Sequence, residues 1–211
     1  MNKCNNFSKI PIVLLHGLGE KPWQMYPLEL YLNKVGGLQN THRILYEVNN
    51  IPYVEALDKL DNQLENILNK DTDKLIVIGQ SMGGVMANNL HTKGWTCLKI
   101  ITIGSPLHGA RLLNYLESKL PNWITKKLKK RAYDYLMDKS ANQLRDLKPP
   151  CDYHNITMSL PFCSFDGCVF ADEAKFKDDF DNHTHLPWAH HTTIFFNPRL
   201  WCCVLDKIKM K

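Results

Sequence analysis

The stretch that decides the fold is KLIVIGQSMGGVMANNL, residues 74–90. It begins with a short apolar, β-branched run, turns through Gly79-Gln80-Ser81-Met82-Gly83 and continues with residues of helical character. A G-x-S-x-G match becomes meaningful only when a strand precedes it and a helix follows it, as here. Glycines on either side of the serine let strand and helix approach closely, so we predict Ser81 in a strained turn with its hydroxyl exposed. A glycine-rich turn with an ordinary surface serine is the alternative.

Short apolar runs and longer helical segments alternate along the whole chain. This pattern predicts an α/β fold with a mostly parallel sheet of about six strands and helices on both faces. The predicted strands are Pro11–Leu15, Arg43–Val48, Lys74–Ile78, Leu98–Ile103, Asn155–Leu160 and His183–Trp188. The predicted helices are Pro27–Val35, Tyr53–Asn69, Met82–His91 and Pro198–Lys209.

Length and composition predict a single domain over residues 1–211. A chain of 211 residues, 44% of them hydrophobic and 22% charged, can bury a sizeable core but is short for two domains. A helical insertion is expected at about 111–148, after the fourth strand, either as packed helical structure or as a mobile lid. No apolar stretch approaches the roughly 20 residues of a membrane span, and the first residues lack the apolar core of a signal peptide. A cytoplasmic or peripheral membrane location is therefore expected.

The net charge of +5 is concentrated in one basic run, which comprises Lys126, Lys127, Lys129, Lys130 and Arg131. Such a run is either a solvated helix face or a surface that contacts an anionic membrane. No recognised nucleic-acid-binding module surrounds it, so nucleic acid is not expected as a partner. The seven cysteines lack paired zinc-binding spacings, and we expect free thiols, no metal and no cofactor.

A serine hydroxyl becomes an effective nucleophile when a histidine removes its proton and a carboxylate orients that histidine. His183 and His185 alternate with apolar residues in a predicted strand, which suits packing or exposure. His190 and His191 follow that strand in a loop, where a base is expected, and the residues alone leave both open. Asp166, after the fifth predicted strand, is the candidate acid. The alternatives fall in a charged stretch typical of solvated structure: Asp172, Glu173, Asp178, Asp179 and Asp181.

The oxyanion formed during attack on an ester carbonyl requires hydrogen-bond donors. The Met82 N–H, at the start of the helix after the serine, is one candidate. The turn after the first predicted strand is expected to supply the other, because glycines in Leu15-His16-Gly17-Leu18-Gly19 allow an N–H to point inward. His16 itself is expected to be structural.

Three blocks of the sequence resemble small lipases and esterases of the α/β-hydrolase superfamily: VLLHGLG (13–19), GQSMGG (79–84) and ITIGSPLHG (101–109). The resemblance spans about residues 10–208 and implies the compact form of that fold, without its two leading strands. It also implies Ser81 as nucleophile, Asp166 as acid, and Leu18 and Met82 as oxyanion donors. The segment HTTIFFNP, residues 191–198, resembles the family's histidine loop and favours His191 over His190.

Together these features predict a serine hydrolase that cleaves carboxylic esters, particularly lipid or acylglycerol esters, through an acyl-serine intermediate. Thioester cleavage and acyl transfer share that intermediate and stay open. A non-catalytic protein that keeps the fold and binds anionic lipid through its basic run is the alternative from another class.

Overall fold

The computed structural model of the chain describes residues 9–48, 51–111, 119, 149–176 and 181–210. These residues build one six-stranded sheet with the order β2-β1-β3-β4-β5-β6, in which every neighbouring pair is parallel. The strands are β1 (Ile12–Leu15), β2 (Thr41–Ile44), β3 (Lys74–Gln80), β4 (Thr96–Ile103), β5 (Asp152–Ser159) and β6 (His183–Pro187). The predicted α/β class with a mostly parallel sheet of about six strands is confirmed.

Within the described ranges, four α-helices cover the two faces of the sheet: α1 (Tyr26–Lys34), α2 (Tyr53–Glu65), α3 (Met82–Asn89) and α4 (Pro198–Lys209). Short 3-10 turns precede α1 at Pro22–Met25 and α4 at Ile194–Phe196. Because side chains alternate along a strand, Val77 of β3 joins the core formed with α2 and α3, whereas Ile76 and Ile78 join the core formed with α1 and α4. Burial on both faces explains why β3 is almost continuously apolar.

Strand β2 differs from its predicted bounds, since it covers Thr41–Ile44 instead of Arg43–Val48. Among the described strands, its one partner is β1, and their pairing runs from Ile12 opposite Thr41 to Leu15 opposite Ile44. Beyond Leu15 the first strand ends, so the apolar residues after Ile44 have no strand to pair with. The length of the partner strand, which local sequence does not reveal, sets the length of β2.

Helix α2 ends at Glu65, before the predicted Asn69, because the pattern of backbone hydrogen bonds changes there. The Leu64 carbonyl accepts hydrogen bonds from the N–H groups of Ile67, at 3.1 Å, and Leu68, at 2.9 Å. Apolar spacing continues past this point, which is why the sequence pattern predicted a longer helix. Helix α4 has the predicted bounds.

Several expectations concern residues outside the described ranges. The insertion at about 111–148 lies there, apart from Arg111, Lys119 and the Pro149 that follows it, and so does the basic run at 126–131. Within the described ranges, no helix combines the length and the apolar character needed to cross a membrane. The cysteines in those ranges are free thiols: Cys97, Cys151, Cys163, Cys168, Cys202 and Cys203.

One buried histidine in β5 makes stability sensitive to acid. The His154 side chain is only 6% exposed, and its Nε2 is 2.8 Å from Oγ1 of Thr184. Burial is the main cause that lowers the pKa of His154 to about 4, and the positive charge of Lys207 acts in the same direction. The folded chain therefore resists protonation of this imidazole more than the unfolded chain does.

We expect the stabilising effect of a neutral His154 to be complete above pH ~6.5, the ordinary histidine pKa, and to be lost as pH falls toward 4. His154→Gln cannot take up a proton but keeps a polar partner for Thr184. Urea unfolding gives the free energy of unfolding at pH about 7 and at pH about 4.5. Between these two pH values, this free energy should fall by about 2 kcal/mol less in the variant than in the wild type. His42→Gln, on edge strand β2, is the control, and an equal loss in His154→Gln and wild type would contradict the prediction.

Candidate active site

Ser81 connects β3 to α3 in a strained backbone conformation. Its φ of +53° and ψ of −123° are rare for a residue with a side chain. The Ser81 N–H donates to the carbonyl of Ile103, at the end of β4, over 2.9 Å. The Ser81 carbonyl accepts from the Gly84 N–H at 3.1 Å. The strained strand–turn–helix predicted around this serine is therefore present.

The turn at Ser81 depends on glycine because α3 begins almost in contact with the sheet. A Cβ atom on Gly83 would lie 2.2 Å from the carbonyl oxygen of Leu15, at the end of β1. Any side chain at this position would push the start of α3 away from β1. Gly83 thus sets how closely the serine turn approaches the turn that follows β1.

Asp166 and His191 form a buried hydrogen-bonded pair. Their side chains are 1% and 5% exposed, and His191 Nδ1 donates to Asp166 Oδ2 over 2.7 Å. Asp166 Oδ1 accepts from the backbone N–H groups of Cys168, at 2.9 Å, and Val169, at 2.7 Å. With Nδ1 engaged by the carboxylate, Nε2 is the imidazole nitrogen left to exchange a proton with another group.

The other histidines that were candidates for the base have different surroundings. His190 is exposed, and its Nδ1 lies 3.1 Å from Oγ1 of Thr192. His183 and His185 both hydrogen-bond with Oγ1 of Thr157 across the β5–β6 pair, at 2.8 and 2.9 Å. Among the described residues, no group of three or more His, Cys, Asp or Glu side chains is placed to hold a metal ion.

Within the described chain, none of the alternative acids forms a hydrogen bond with His191. Asp172 is exposed and pairs with Arg111. Glu173, expected in a solvated stretch, is instead buried, because its carboxylate accepts from the Arg111 backbone N–H at 2.6 Å and from the Phe170 N–H at 2.9 Å. Asp181 is exposed, and residues 178 and 179 lie outside the described ranges.

Ser81 and the Asp166–His191 pair are linked through Gln80. Gln80 is fully buried, precedes Ser81 and donates from Nε2 to the carbonyl of His191 over 3.2 Å. No hydrogen bond joins the Ser81 hydroxyl to His191 in the part of the chain that the structure describes. Hydrogen bonds between a nucleophile and its base are often long in unliganded sites and tighten when substrate binds. Sequence patterns gave no signal for the role of Gln80 in this link.

The turn after β1 lies against Ser81. The Glu20 N–H donates to the Gly17 carbonyl over 3.2 Å, and Gly19 at φ +76° completes the turn. A Cβ atom on Gly17 would lie 3.0 Å from Cβ of Ser81. Within the described chain, the backbone N–H groups of Leu18 and Met82 have no hydrogen-bond acceptor, so both are available to a ligand.

His16, at the end of β1, has the surroundings of a structural residue. It is 2% exposed, its Nδ1 lies 2.9 Å from the Gly17 carbonyl, and its ring packs 4.6 Å from that of Tyr46. Burial lowers the pKa of His16 and favours its neutral form.

Glu20 is a member of the site that sequence reasoning missed. Its Oε2 accepts from the Gly17 N–H over 3.1 Å. Burial raises the pKa of Glu20, and the Gly17 N–H, the imidazolium form of His191 and the nearby amide of Gln80 oppose this shift. The only signal in the sequence is an acidic residue directly after the glycine-containing turn.

We expect Gly17→Ala to slow the reaction of Ser81 with a fluorophosphonate by at least about tenfold, because small displacements of reacting groups have large effects. The added methyl group would lie 2.5 Å from Oε1 of Gln80 and would crowd Ser81. Gly94→Ala is the control, since Gly94 has φ +86° but lies in a distant turn. Rates are compared by gel-based labelling, and equal rates for Gly17→Ala and Gly94→Ala would contradict the expected crowding.

Several solved structures share the architecture of this chain. The chain aligns with the mature lipase BlEst2 of Bacillus licheniformis at a TM-score of 0.67 and 17% identity, covering 96% of this chain and 93% of that one. It aligns with phospholipase PlaB from Legionella pneumophila at a TM-score of 0.74 and 12% identity, covering 96% and 60%. For the esterase Pf2001 of Pyrococcus furiosus the TM-score is 0.59, the identity 18% and the coverage 94% and 81%. Neither a family model nor a curated protein sequence matches the chain.

The parallel six-stranded sheet, the helices on both faces and the serine turn between β3 and α3 define the α/β-hydrolase fold, and this chain has that fold. The resemblance seen in the three sequence blocks is thereby confirmed at the level of fold. Several of the similar structures are lipases or esterases, at identities of 12–18%.

Proposed function

We propose that this chain is a serine hydrolase that cleaves carboxylic esters. The observation that carries the proposal is the buried 2.7 Å hydrogen bond between Asp166 and His191, linked through Gln80 to the strained turn of Ser81. A buried carboxylate with both oxygens occupied keeps an imidazole in one tautomer and orientation, which is what a general base requires. The fold of known lipases and esterases supports the same conclusion.

In the proposed mechanism, Nε2 of His191 takes the proton of the Ser81 hydroxyl as that oxygen attacks the ester carbonyl. The Leu18 and Met82 N–H groups bind the resulting oxyanion, and Asp166 stabilises the imidazolium. His191 then protonates the departing alcohol, leaving an acyl-serine. Water, deprotonated by His191, attacks the acyl group and restores Ser81. A thioester substrate would pass through the same acyl-serine with a thiol as the leaving group, and acyl transfer would replace the attacking water by an alcohol, so the choice of substrate and acceptor separates these activities.

The triad assignment predicts which single substitutions remove activity. Ser81→Ala and His191→Ala should each lower kcat for p-nitrophenyl esters by about 10⁴-fold or more. Asp166→Asn should lower kcat by about 10⁴-fold, because the amide stabilises the wrong tautomer. His190 is exposed and precedes His191 in the sequence, so His190→Ala should keep wild-type activity and serves as the control. Circular dichroism checks that each variant is folded.

A fluorophosphonate probe with peptide mapping tests the nucleophile without knowledge of the substrate. The wild type should be modified at Ser81, and the modification should be lost in His191→Ala. Hydrolysis and labelling that are unchanged in Ser81→Ala would exclude Ser81 as the nucleophile, whereas a wild type that neither hydrolyses esters nor reacts with the probe would leave the non-catalytic alternative.

Lipid esters are the substrate class that we propose, because two exposed aromatic side chains flank the site. Phe162 is fully exposed, and Trp188 is 72% exposed. Both have positive φ, +62° and +60°, which is costly for aromatic residues.

Phe162 lies in the loop that leads to Asp166, and Trp188 lies in the loop that leads to His191. Because Ser159 pairs with Pro187 at the ends of β5 and β6, the two loops start side by side. Aromatic side chains are favoured at membrane–water interfaces.

We expect Phe162→Asn/Trp188→Asn to bind phosphatidylcholine vesicles at least about tenfold more weakly, while kcat/KM for soluble p-nitrophenyl acetate stays within about twofold. Asparagine tolerates positive φ, so the backbone conformation is kept. Ile67→Ser removes an exposed apolar residue beyond α2 and is the control. Equal vesicle binding in the double variant and in Ile67→Ser would contradict the lipid proposal.

Vesicle binding of these variants is measured by sedimentation. The same assay tests the proposed contact between the basic run and anionic lipid. Adding phosphatidylserine to the vesicles should strengthen binding, and salt should reverse this gain. Replacing Lys126, Lys127, Lys129, Lys130 and Arg131 by glutamine should abolish the gain. Binding that is independent of lipid charge would contradict this contact.

A further inference from the structure

The carboxylate of Glu20 lies within the site but takes no part in the mechanism above. We propose that Glu20 is a positioning residue of the active site. In this role it holds the turn of residues 17–20 so that the Leu18 N–H can meet the oxyanion, and it places a second negative charge, besides Asp166, beside His191. The inference rests on the proposed serine hydrolase function and adds to it a residue that acts through other groups.

Two hydrogen bonds between the same two residues close the turn. The Glu20 N–H donates to the Gly17 carbonyl at 3.2 Å, and the Gly17 N–H donates to Glu20 Oε2 at 3.1 Å. The backbone bond is common to many turns, whereas the side-chain bond is specific to this one. It gives the Gly17 N–H an acceptor and leaves the next N–H, that of Leu18, unpaired within the described chain. Without the carboxylate, the turn would lose one of the two bonds that fix its conformation.

The turn that Glu20 holds is in contact with the nucleophile. The position that a Gly17 Cβ would take is 3.2 Å from Glu20 Oε2, 3.0 Å from Cβ of Ser81 and 2.5 Å from Oε1 of Gln80. The carboxylate, the serine and the glutamine therefore surround the free side of one glycine. A shift of the turn would move the Leu18 N–H relative to the atom that Ser81 attacks, and transition-state stabilisation depends on such distances.

The negative charge of Glu20 also acts on the base. Glu20 and the imidazolium form of His191 attract each other. Gln80 donates to the His191 carbonyl over 3.2 Å, and its side chain lies against the same glycine, Gly17, as the Glu20 carboxylate. Three described titratable groups near Glu20 are neutral at pH 7: Cys168, Tyr46 and His16. Burial, aided by nearby negative charge including that of Glu20, raises the pKa of Cys168 to about 11 and that of Tyr46 further still. Burial lowers the pKa of His16. Lys21, next in sequence, is exposed to solvent, which screens its charge.

Glu20→Gln and Glu20→Ala separate the two parts of this role. The amide oxygen of glutamine can still accept from the Gly17 N–H but carries no charge, whereas alanine offers neither. Glu29→Gln is the matched control, because Glu29 is a partly buried carboxylate that pairs with Arg43 away from the site. Circular dichroism and urea unfolding establish that each variant is folded.

The readout is the second-order rate constant for reaction with a fluorophosphonate between pH about 5 and about 9. In this reaction the Ser81 oxygen bonds to phosphorus, the P–F bond breaks, fluoride leaves and His191 takes the hydroxyl proton. We expect Glu20→Ala to react at least about tenfold more slowly at the plateau, and Glu20→Gln to remain within about threefold of the wild type. In Glu20→Gln the acid limb should move to lower pH by several tenths of a unit, because the imidazolium has lost an attractive charge.

Each alternative result overturns a stated part of the proposal. A wild-type plateau rate in Glu20→Ala would overturn the positioning role, and an equal loss in both variants would show that an acceptor at this position does not suffice. An unchanged acid limb in Glu20→Gln would overturn the effect of charge, and this limb decides that part even if Glu20→Ala does not fold. Failure of the wild type itself to react would instead count against the proposed function, independently of Glu20.

Discussion

The approach of α3 to the ends of β1 and β3 is the constraint on which the site depends. Gly83 has no room for a side chain beside the Leu15 carbonyl, and the chain enters α3 through Ser81 at positive φ. This close contact brings the serine against the turn of residues 17–20, more than sixty residues earlier in the chain. The nucleophile and the N–H groups expected to bind the oxyanion are thus placed by the same packing contact.

The parallel sheet supplies the second half of the arrangement. Parallel strands all end at the same edge, so the loops after β1, β3, β5 and β6 meet there. Asp166 comes from the loop after β5 and His191 from the loop after β6, and a buried carboxylate is tolerated because both its oxygens accept hydrogen bonds. Gln80, the last residue of β3, then connects this pair to the serine by a hydrogen bond with the His191 carbonyl. The turn after β1, which Glu20 closes, packs against Ser81.

The elements that sequence could predict are those whose signal is local. The apolar run of β3 and the glycines around Ser81 predicted their own structure, and α4 begins and ends as its proline and its periodicity indicate. The end of β2 depends on the length of β1, which is a tertiary property. The burial of Glu173 depends on Arg111, sixty-two residues earlier, and the place of Glu20 depends on a contact with the serine turn. Residue type and spacing do not encode such partners, so a carboxylate expected in solvent was found inside.

The order of the strands gives the proposed nucleophile and the proposed base different degrees of protection. Ser81 follows β3, which has a strand on each side and two cores around it, whereas His191 follows β6, which is short, half-exposed and, among the described strands, paired on one side only. Edge strands open locally at a lower free energy than the centre of a sheet. Fraying of β6 would separate His191 from Ser81 while the rest of the sheet remains folded. For the proposed serine mechanism, the fraction of molecules with the base in place would then be set by the stability of this edge strand and not by global stability.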